Sequence, residues 1–298
     1  MIRKIRKLTR RLLNLPVAEM ETNAFLRFAP PGHFYSPIPD MEQVKAGFQP
    51  PIDAKVGDVD LNEEGQMKLL MELARLYPEL PYPAGRPNLR YTFDQNFYCY
   101  ADAIYLHGIL RHFQPRKIIE VGSGHSSAMI LDTNELFLKG EMTCTFIEPY
   151  PDRLLSTLRA GEKQNIHLMQ SGVQNVSPDV FSPLAANDIL FIDSSHVSKY
   201  GSDVNYLMFE ILPVLKPGVI VHIHDIFYPF EYPKDWLLEG RAWNEAYLVR
   251  AFLQHNHDWE VLLFADFAGK KFRPFLATHM PLCLKNTGCG LWICKRAR

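Results

Sequence analysis

Nowhere along its 298 residues does the chain hold a run of about 18 apolar residues, so no helix is expected to span a bilayer. It also lacks a basic excess. Its 32 Lys and Arg against 33 Asp and Glu give a net charge of −1, whereas a protein built to coat phosphate backbones needs a surplus of cations, so no nucleic-acid partner is expected. The five cysteines, Cys99, Cys144, Cys283, Cys289 and Cys294, show no CxxC spacing. That speaks against a zinc site or a disulfide framework and for structural thiols in a reducing compartment, with a bridge among the last three left open.

What charge there is falls unevenly. Six basic residues lie in MIRKIRKLTRR, ahead of the first acid, and the LLNLPVA that follows is short and interrupted by Pro16, unlike the core of a secretory signal. Ile2, Ile5, Leu8, Leu12 and Leu13 can share one helical face opposite the cations. Such a helix suits either an anionic membrane surface or a solvated, partner-packed position. The expected location is cytoplasmic, peripheral at the inner membrane surface if that face meets lipid.

Two regions follow. Residues 1–87 read as an N-terminal extension: the basic segment, a Pro- and Gly-rich stretch over 28–58 without a sustained period, and a helix in LNEEGQMKLLMELARLY with Leu69, Leu70, Leu73 and Leu76 on one side. A second helix is expected in YADAIYLHGILRHF. From Lys117 onward strands and helices alternate. KIIEV, CTFIE, NIHLM, DILFID and GVIVHIHD are short, nearly continuous apolar runs at the spacing of βαβ units, as in a parallel sheet covered on both faces. Val204, Leu207, Met208, Ile211, Leu212 and Leu215 mark a helix that Lys216-Pro217-Gly218 stops. WEVLLF and GLWIC complete the set as an antiparallel pair at the sheet edge.

The first strand runs straight into Gly122-Ser123-Gly124 and a helix that Ser126 or Ser127 would cap. Glycines there let a ligand approach the backbone, and the helix N-terminus faces it. A dinucleotide fingerprint wants a third glycine at 127, where this chain has Ser127. Glu120 would sit badly beside a pyrophosphate but suits a ligand with a cationic group. Glu148, at the end of the second strand, is placed to accept both ribose hydroxyl hydrogen bonds of an adenosine.

EVGSGHSS, the acid of FIEP, FIDSSH and VIVHIHDIF, in that order, resemble the class I S-adenosylmethionine-dependent methyltransferases, and more narrowly the metal-dependent sugar O-methyltransferases of macrolide and polysaccharide pathways. The resemblance covers residues 88–298. It implies an α/β, Rossmann-like sheet of seven mainly parallel strands with helices on both faces and an antiparallel last strand, following the extension. It also implies S-adenosylmethionine held by Glu120, Gly122, Ser123, Gly124, Ser126, Ser127, Glu148 and Asp193, with a small-molecule or glycan acceptor. On the acceptor side, the family pattern puts Mg²⁺ or another divalent ion on Asp193, His224 and Asp225, and makes His196 the base. This chain departs from that pattern at His224, where the family has Glu; the nitrogen ligand tolerates a more borderline ion.

Blander readings stay open for these residues. Asp193 also suits a helix cap, His196 a surface turn, and His222 a gap in the core. GHFYSPIPD, with His33 and Tyr35, could fold over a site, and Arg241 could meet an acidic acceptor. Two other functions compete. A nicotinamide-dependent oxidoreductase is disfavoured by Ser127, by Glu120 and by the lack of any Tyr-x-x-x-Lys pair. A non-catalytic scaffold that keeps the fold would not need Asp193 or His196.

Overall fold

A computed structural model describes residues 23–47, 56–82, 88–164 and 166–297; the basic N-terminal segment, and Asn165 of the third expected strand, lie outside them. The chain divides into two compact units, residues 1–50 with 232–242, and residues 51–231 with 243–298. The larger one therefore takes in residues 51–87, which the sequence pattern assigned to the extension.

Seven strands form one sheet in the larger unit: β1 (Lys117–Val121), β2 (Thr143–Ile147), β3 (His167–Met169), β4 (Ile189–Ile192), β5 (Ile220–Ile223), β6 (Trp259–Phe264) and β7 (Leu291–Lys295), in the order β3-β2-β1-β4-β5-β7-β6. β1 to β5 pair in parallel, and β7 runs antiparallel between β5 and β6. The last strand is thus inserted one place in from the edge. The apolar runs of β4 and β5 are buried along their whole length, as a sheet covered on both faces requires.

Three helices cover one face: α1 (Glu63–Leu76), α2 (Ala101–Phe113) and α3 (His125–Phe137). Leu69, Leu70 and Leu73 of α1 join the core formed with α2 and the sheet residues Ile118, Phe191 and Trp292. Gly108 of α2 leaves room for Leu73, which a Cβ there would meet at 3.0 Å. Gln66 is fully buried on α1, and its Oε1 accepts the Phe264 N–H (2.9 Å) at the end of β6. An amphipathic helix needs somewhere to bury its stripe, and this one uses the sheet unit, which explains why the unit begins before residue 88.

The segment entering α2 is tied down by charge. Asp132 of α3, fully buried, accepts the N–H groups of Arg90 (2.9 Å) and Tyr91 (2.9 Å) and the Arg90 guanidinium (2.8 Å). Arg90 also reaches Glu135 and Glu162. Removing one partner of a buried pair leaves the other charge without compensation, which costs about 3–5 kcal/mol. Arg90→Ala is therefore expected to lower the urea midpoint strongly, and Arg90→Lys to recover only part of it, because Lys cannot serve three carboxylates in a fork.

The expected helix over 204–215 is present in pieces: α-helical at Asp203–Tyr206, a π-helical turn at Leu207–Ile211, and a 3₁₀ turn at Leu212–Val214, which Pro213 enters. In the smaller unit, short helices span Ala24–Phe28, Met41–Ala46 and Lys234–Leu238. There Arg241 pairs with Glu239 (2.8 Å) and lies over the Trp236 ring (4.2 Å). Phe34 and Tyr35, in the GHFYSPIPD loop of that unit, are exposed. The five cysteines are all free thiols. Among the described residues, no helix is long and apolar enough to cross a membrane.

Candidate active site

A cleft of about 450 Å³ opens at the carboxyl ends of the parallel strands, lined by Gly122 after β1, Glu148 after β2, Gly172 to Gln174 after β3, and Asp193 to Ser195 after β4. This is the crevice in which open α/β sheets take their ligands. Glu148 is fixed at both carboxylate oxygens: one accepts the Ser123 N–H (3.0 Å), the other the Tyr150 N–H (2.7 Å). Its remaining lone pairs stay available on the cleft wall.

The glycine turn is built differently from the sequence expectation. Gly122 has φ +79° and lines the cleft, but a Cβ there would stand 1.9 Å from the Asp193 carbonyl oxygen, so the glycine is demanded first by the neighbouring strand. Glu120, Ser123, Ser126 and Ser127 are buried behind the turn and, like Gly124, are not part of the cleft lining. Glu120 accepts a short hydrogen bond from the Ser127 hydroxyl, which in turn accepts the Gly124 N–H (2.9 Å). Burial pushes the Glu120 carboxyl up to about 8. Its other oxygen and the Ser123 hydroxyl have no protein partner.

Beside the cleft, His196 is held by three carboxylates. Its Nε2 lies 3.3 Å from Asp193 and 3.3 Å from Asp225, and its Nδ1 lies 3.0 Å from Glu245. The ring also packs on Trp243 at 4.4 Å. Burial pulls the imidazole down, but the hydrogen bonds to Asp193 and Glu245 and the charge of Asp225 outweigh it and push the group up to about 10. His196 and Asp225 both sit at positive φ, +59° and +57°. A non-Gly residue there costs on the order of 1–3 kcal/mol and persists only where the surroundings fix it. Here the fixing contacts are visible: the His196 carbonyl accepts the N–H groups of Asn244 and Glu245 at the start of α4 (Glu245–Leu253), and Glu245 also accepts from the Ser194 hydroxyl.

The set anticipated for a metal, Asp193, His224 and Asp225, falls in two neighbouring groups that Asp225 joins, since His224 Nε2 lies 3.7 Å from Asp225 Oδ1. Asp193 and Asp225 come together with His196, their ligand atoms within 4.8 Å of one another, while His224 groups in the same way with Asp102 and Cys289. The cause lies in the strand. His222 and His224 project to the same face, and His224 Nδ1 is turned toward His222 Nε2 (3.2 Å). His222 is fully buried between Phe191 (4.1 Å) and Trp292 (4.3 Å), as core. Three features carried too little signal alone: Glu245 is 49 residues from the histidine it orients, Asp102 reads as an ordinary first-turn acid, and Lys199, Ser202 and Asp203 of the cleft wall follow the fourth strand in a loop without a motif.

A family described as "Methyltransferase domain" matches residues 119–226, the span from β1 to just past β5. Match and sheet order together define an S-adenosylmethionine-dependent methyltransferase of class I. An uncharacterized protein of Archaeoglobus fulgidus is 34% identical over 169 residues, covering 54% of this chain and 75% of its own length, and the chain belongs to the same family as that protein. Among solved structures, a Podospora anserina methyltransferase bound to S-adenosylhomocysteine aligns over 84% of this chain and 100% of its own, at 14% identity and a TM-score of 0.42. The O-methyltransferase TomG of Streptomyces achromogenes aligns over 77% and 90%, at 13% identity and a TM-score of 0.42.

Proposed function

We propose that the protein methylates a hydroxyl of a sugar, in a glycan, glycolipid or secondary-metabolite precursor, with His196 as the group that takes the hydroxyl proton. S-adenosylmethionine, when bound, supplies an electrophilic methyl carbon on a sulfonium centre. The rest falls to the chain: to hold the donor, align the acceptor oxygen with it, and accept a proton. Glu148, pinned by two backbone N–H groups, is oriented for the ribose hydroxyls. Asp193 belongs to both the donor wall and the His196 cluster, so the proton acceptor stands next to the donor.

The observation that carries the sugar reading is the basicity of His196. Three carboxylates around one imidazole make it a far stronger base than an ordinary histidine, and an alcohol needs one, since its proton is held much more tightly than that of a phenol or thiol. The two carboxylates that face the His196 Nε2 also suit a divalent ion. Asp193 and Asp225 would hold it, leaving the His196 Nε2 to take the proton, and the ion's charge would acidify a bound hydroxyl.

The donor assignment is checked by thermal unfolding. S-adenosylmethionine at about 100 times its dissociation constant should stabilise by roughly 2.7 kcal/mol, and Glu148→Ala should lose most of that shift. A shift with NAD instead would overturn the donor. For the acceptor, labelled methyl transfer is measured to free sugars, nucleotide sugars and lipid-linked glycans, with the product located by mass spectrometry. A methyl ether on a sugar oxygen is expected; transfer to amines or catechols alone would sink the sugar reading.

A further inference from the structure

We propose that Asp102, His224, Asp225 and Cys289 form a site for a zinc-class divalent ion, on the far side of Asp225 from His196. The four residues come from separate places: the first turn of α2, the two positions after β5, and the loop before β7. Cys289 Sγ lies 3.0 Å from Asp225 Oδ1, 3.7 Å from His224 Nε2 and 3.8 Å from Asp102 Oδ2, and His224 Nε2 lies 3.7 Å from Asp225 Oδ1. Around a tetrahedral ion with a thiolate at about 2.3 Å and nitrogen or oxygen at about 2.0–2.2 Å, neighbouring ligand atoms stand roughly 3.3–3.6 Å apart. The four observed edges scatter about that value, and Asp102, His224 and Cys289 offer ligand atoms within 4.8 Å of one another.

The supporting shell is also in place. Metal-ligating histidines have their second nitrogen fixed by a hydrogen bond. His224 meets His222 through Nδ1 and presents Nε2 to Cys289 and Asp102. His222 is itself immobilised between Phe191 and Trp292, and Gly290 makes room for it, since a Cβ there would stand 2.3 Å from its Cε1. Asp102 Oδ1 accepts the N–H groups of Cys289 (2.9 Å) and Gly290 (3.2 Å), which leaves Oδ2 toward the thiol. Among the described residues neither Asp102 nor Asp225 is paired with a lysine or arginine. Among the described residues only the imidazoles of His196 and His224 face these two acids and the thiol, and for a metal ion there the sulfur selects zinc or cobalt over magnesium. CxxC spacing could not reveal the site, because it uses one cysteine and ligands scattered over 187 residues.

The site does not depend on which acceptor is methylated, and its test needs no turnover. Zinc content is measured on the full chain after dialysis; the ion is then stripped with chelator and replaced by Co²⁺, whose bond to a thiolate gives a near-ultraviolet charge-transfer absorption. Stoichiometric zinc is expected, with a cobalt–thiolate band that is lost in Cys289→Ser and His224→Ala but kept in Cys294→Ser and Asp193→Asn. No ion bound on titration, or a band that survives Cys289→Ser, would overturn the site. Where Cys289→Ser does not fold, alkylation of the unaltered protein decides: zinc should slow labelling of Cys289, and an unchanged rate counts against the proposal.

Discussion

Replacing His196 by glutamine is expected to cut methyl transfer by roughly 10²–10⁴-fold, the usual contribution of a positioned general base. The substitution keeps a hydrogen-bonding side chain among Asp193, Asp225 and Glu245, so donor binding by thermal shift should change little. The pH dependence separates a base from a merely structural residue. His196 is protonated at neutral pH in the free protein, since its carboxylate neighbours push it up to about 10. Only the neutral imidazole can accept a proton, so turnover under subsaturating acceptor should rise with pH across the neutral and mildly alkaline range. The cationic donor, and any divalent ion on Asp193 and Asp225, would move that rise to lower pH by opposing the imidazolium charge. In His196→Gln the residual rate should be flat. A wild-type profile that is equally flat would remove His196 from proton transfer.

The same group makes a stability prediction of definite sign. Its folded pKa lies above the unfolded value of 6.5, so its contribution is fully present below 6.5 and is lost as pH rises toward about 10. A tenfold difference in proton affinity between the folded and unfolded chain is worth about 1.4 kcal/mol, so the alkaline loss should be large in the wild type and shallow in His196→Gln.

Much of the fold could be read from local patterns because the sheet is built from short, uninterrupted apolar runs, and a buried parallel strand has no other way to look. The insertion of β7 between β5 and β6 could not be read from the strands, and the family resemblance implied only that the last strand is antiparallel; an antiparallel pair carries no mark of which member lies inside. The helix α1 was legible, but its leucine stripe announced a partner without saying which. The site divides along the same line. Residues at strand ends, such as Glu148, Asp193 and Asp225, stand where the sheet must open, so their position follows from the pattern. Glu245 and Asp102 reach the site from helix N-termini far off in sequence, and no spacing connects them to His196 or Cys289. Glu120 and Ser127, read as holding the ligand, are bonded to each other beneath the turn. Alternation along β1 places Glu120 on the face toward the helices, in the same cross-sheet row as Phe191, His222 and Trp292.

Gly122→Ala is the substitution expected to damage the fold most. A new Cβ would stand 1.9 Å from the Asp193 carbonyl oxygen, a backbone atom fixed by the β1–β4 pairing, and the residue sits at φ +79°, which alanine adopts only with strain. Neither side can yield cheaply: the Asp193 N–H is bonded to the Val121 carbonyl (2.8 Å), and the Gly122 N–H to the Ile147 carbonyl (3.0 Å). The loss should exceed about 4 kcal/mol, in the range reserved for named structural failures, and urea unfolding should show it with or without donor. Gly124→Ala makes the contrast. Its φ is −179°, outside the left-handed region, and its Cβ would meet only the Arg153 side chain, nearest at Cδ (2.8 Å), which lies over the Phe97 ring and can move. Stability should fall little there, so any drop in S-adenosylmethionine affinity reports close approach of the ligand to the turn. If Gly124→Ala unfolds the protein as Gly122→Ala does, both glycines serve the fold; if it weakens donor binding alone, one glycine serves the sheet and the other the ligand.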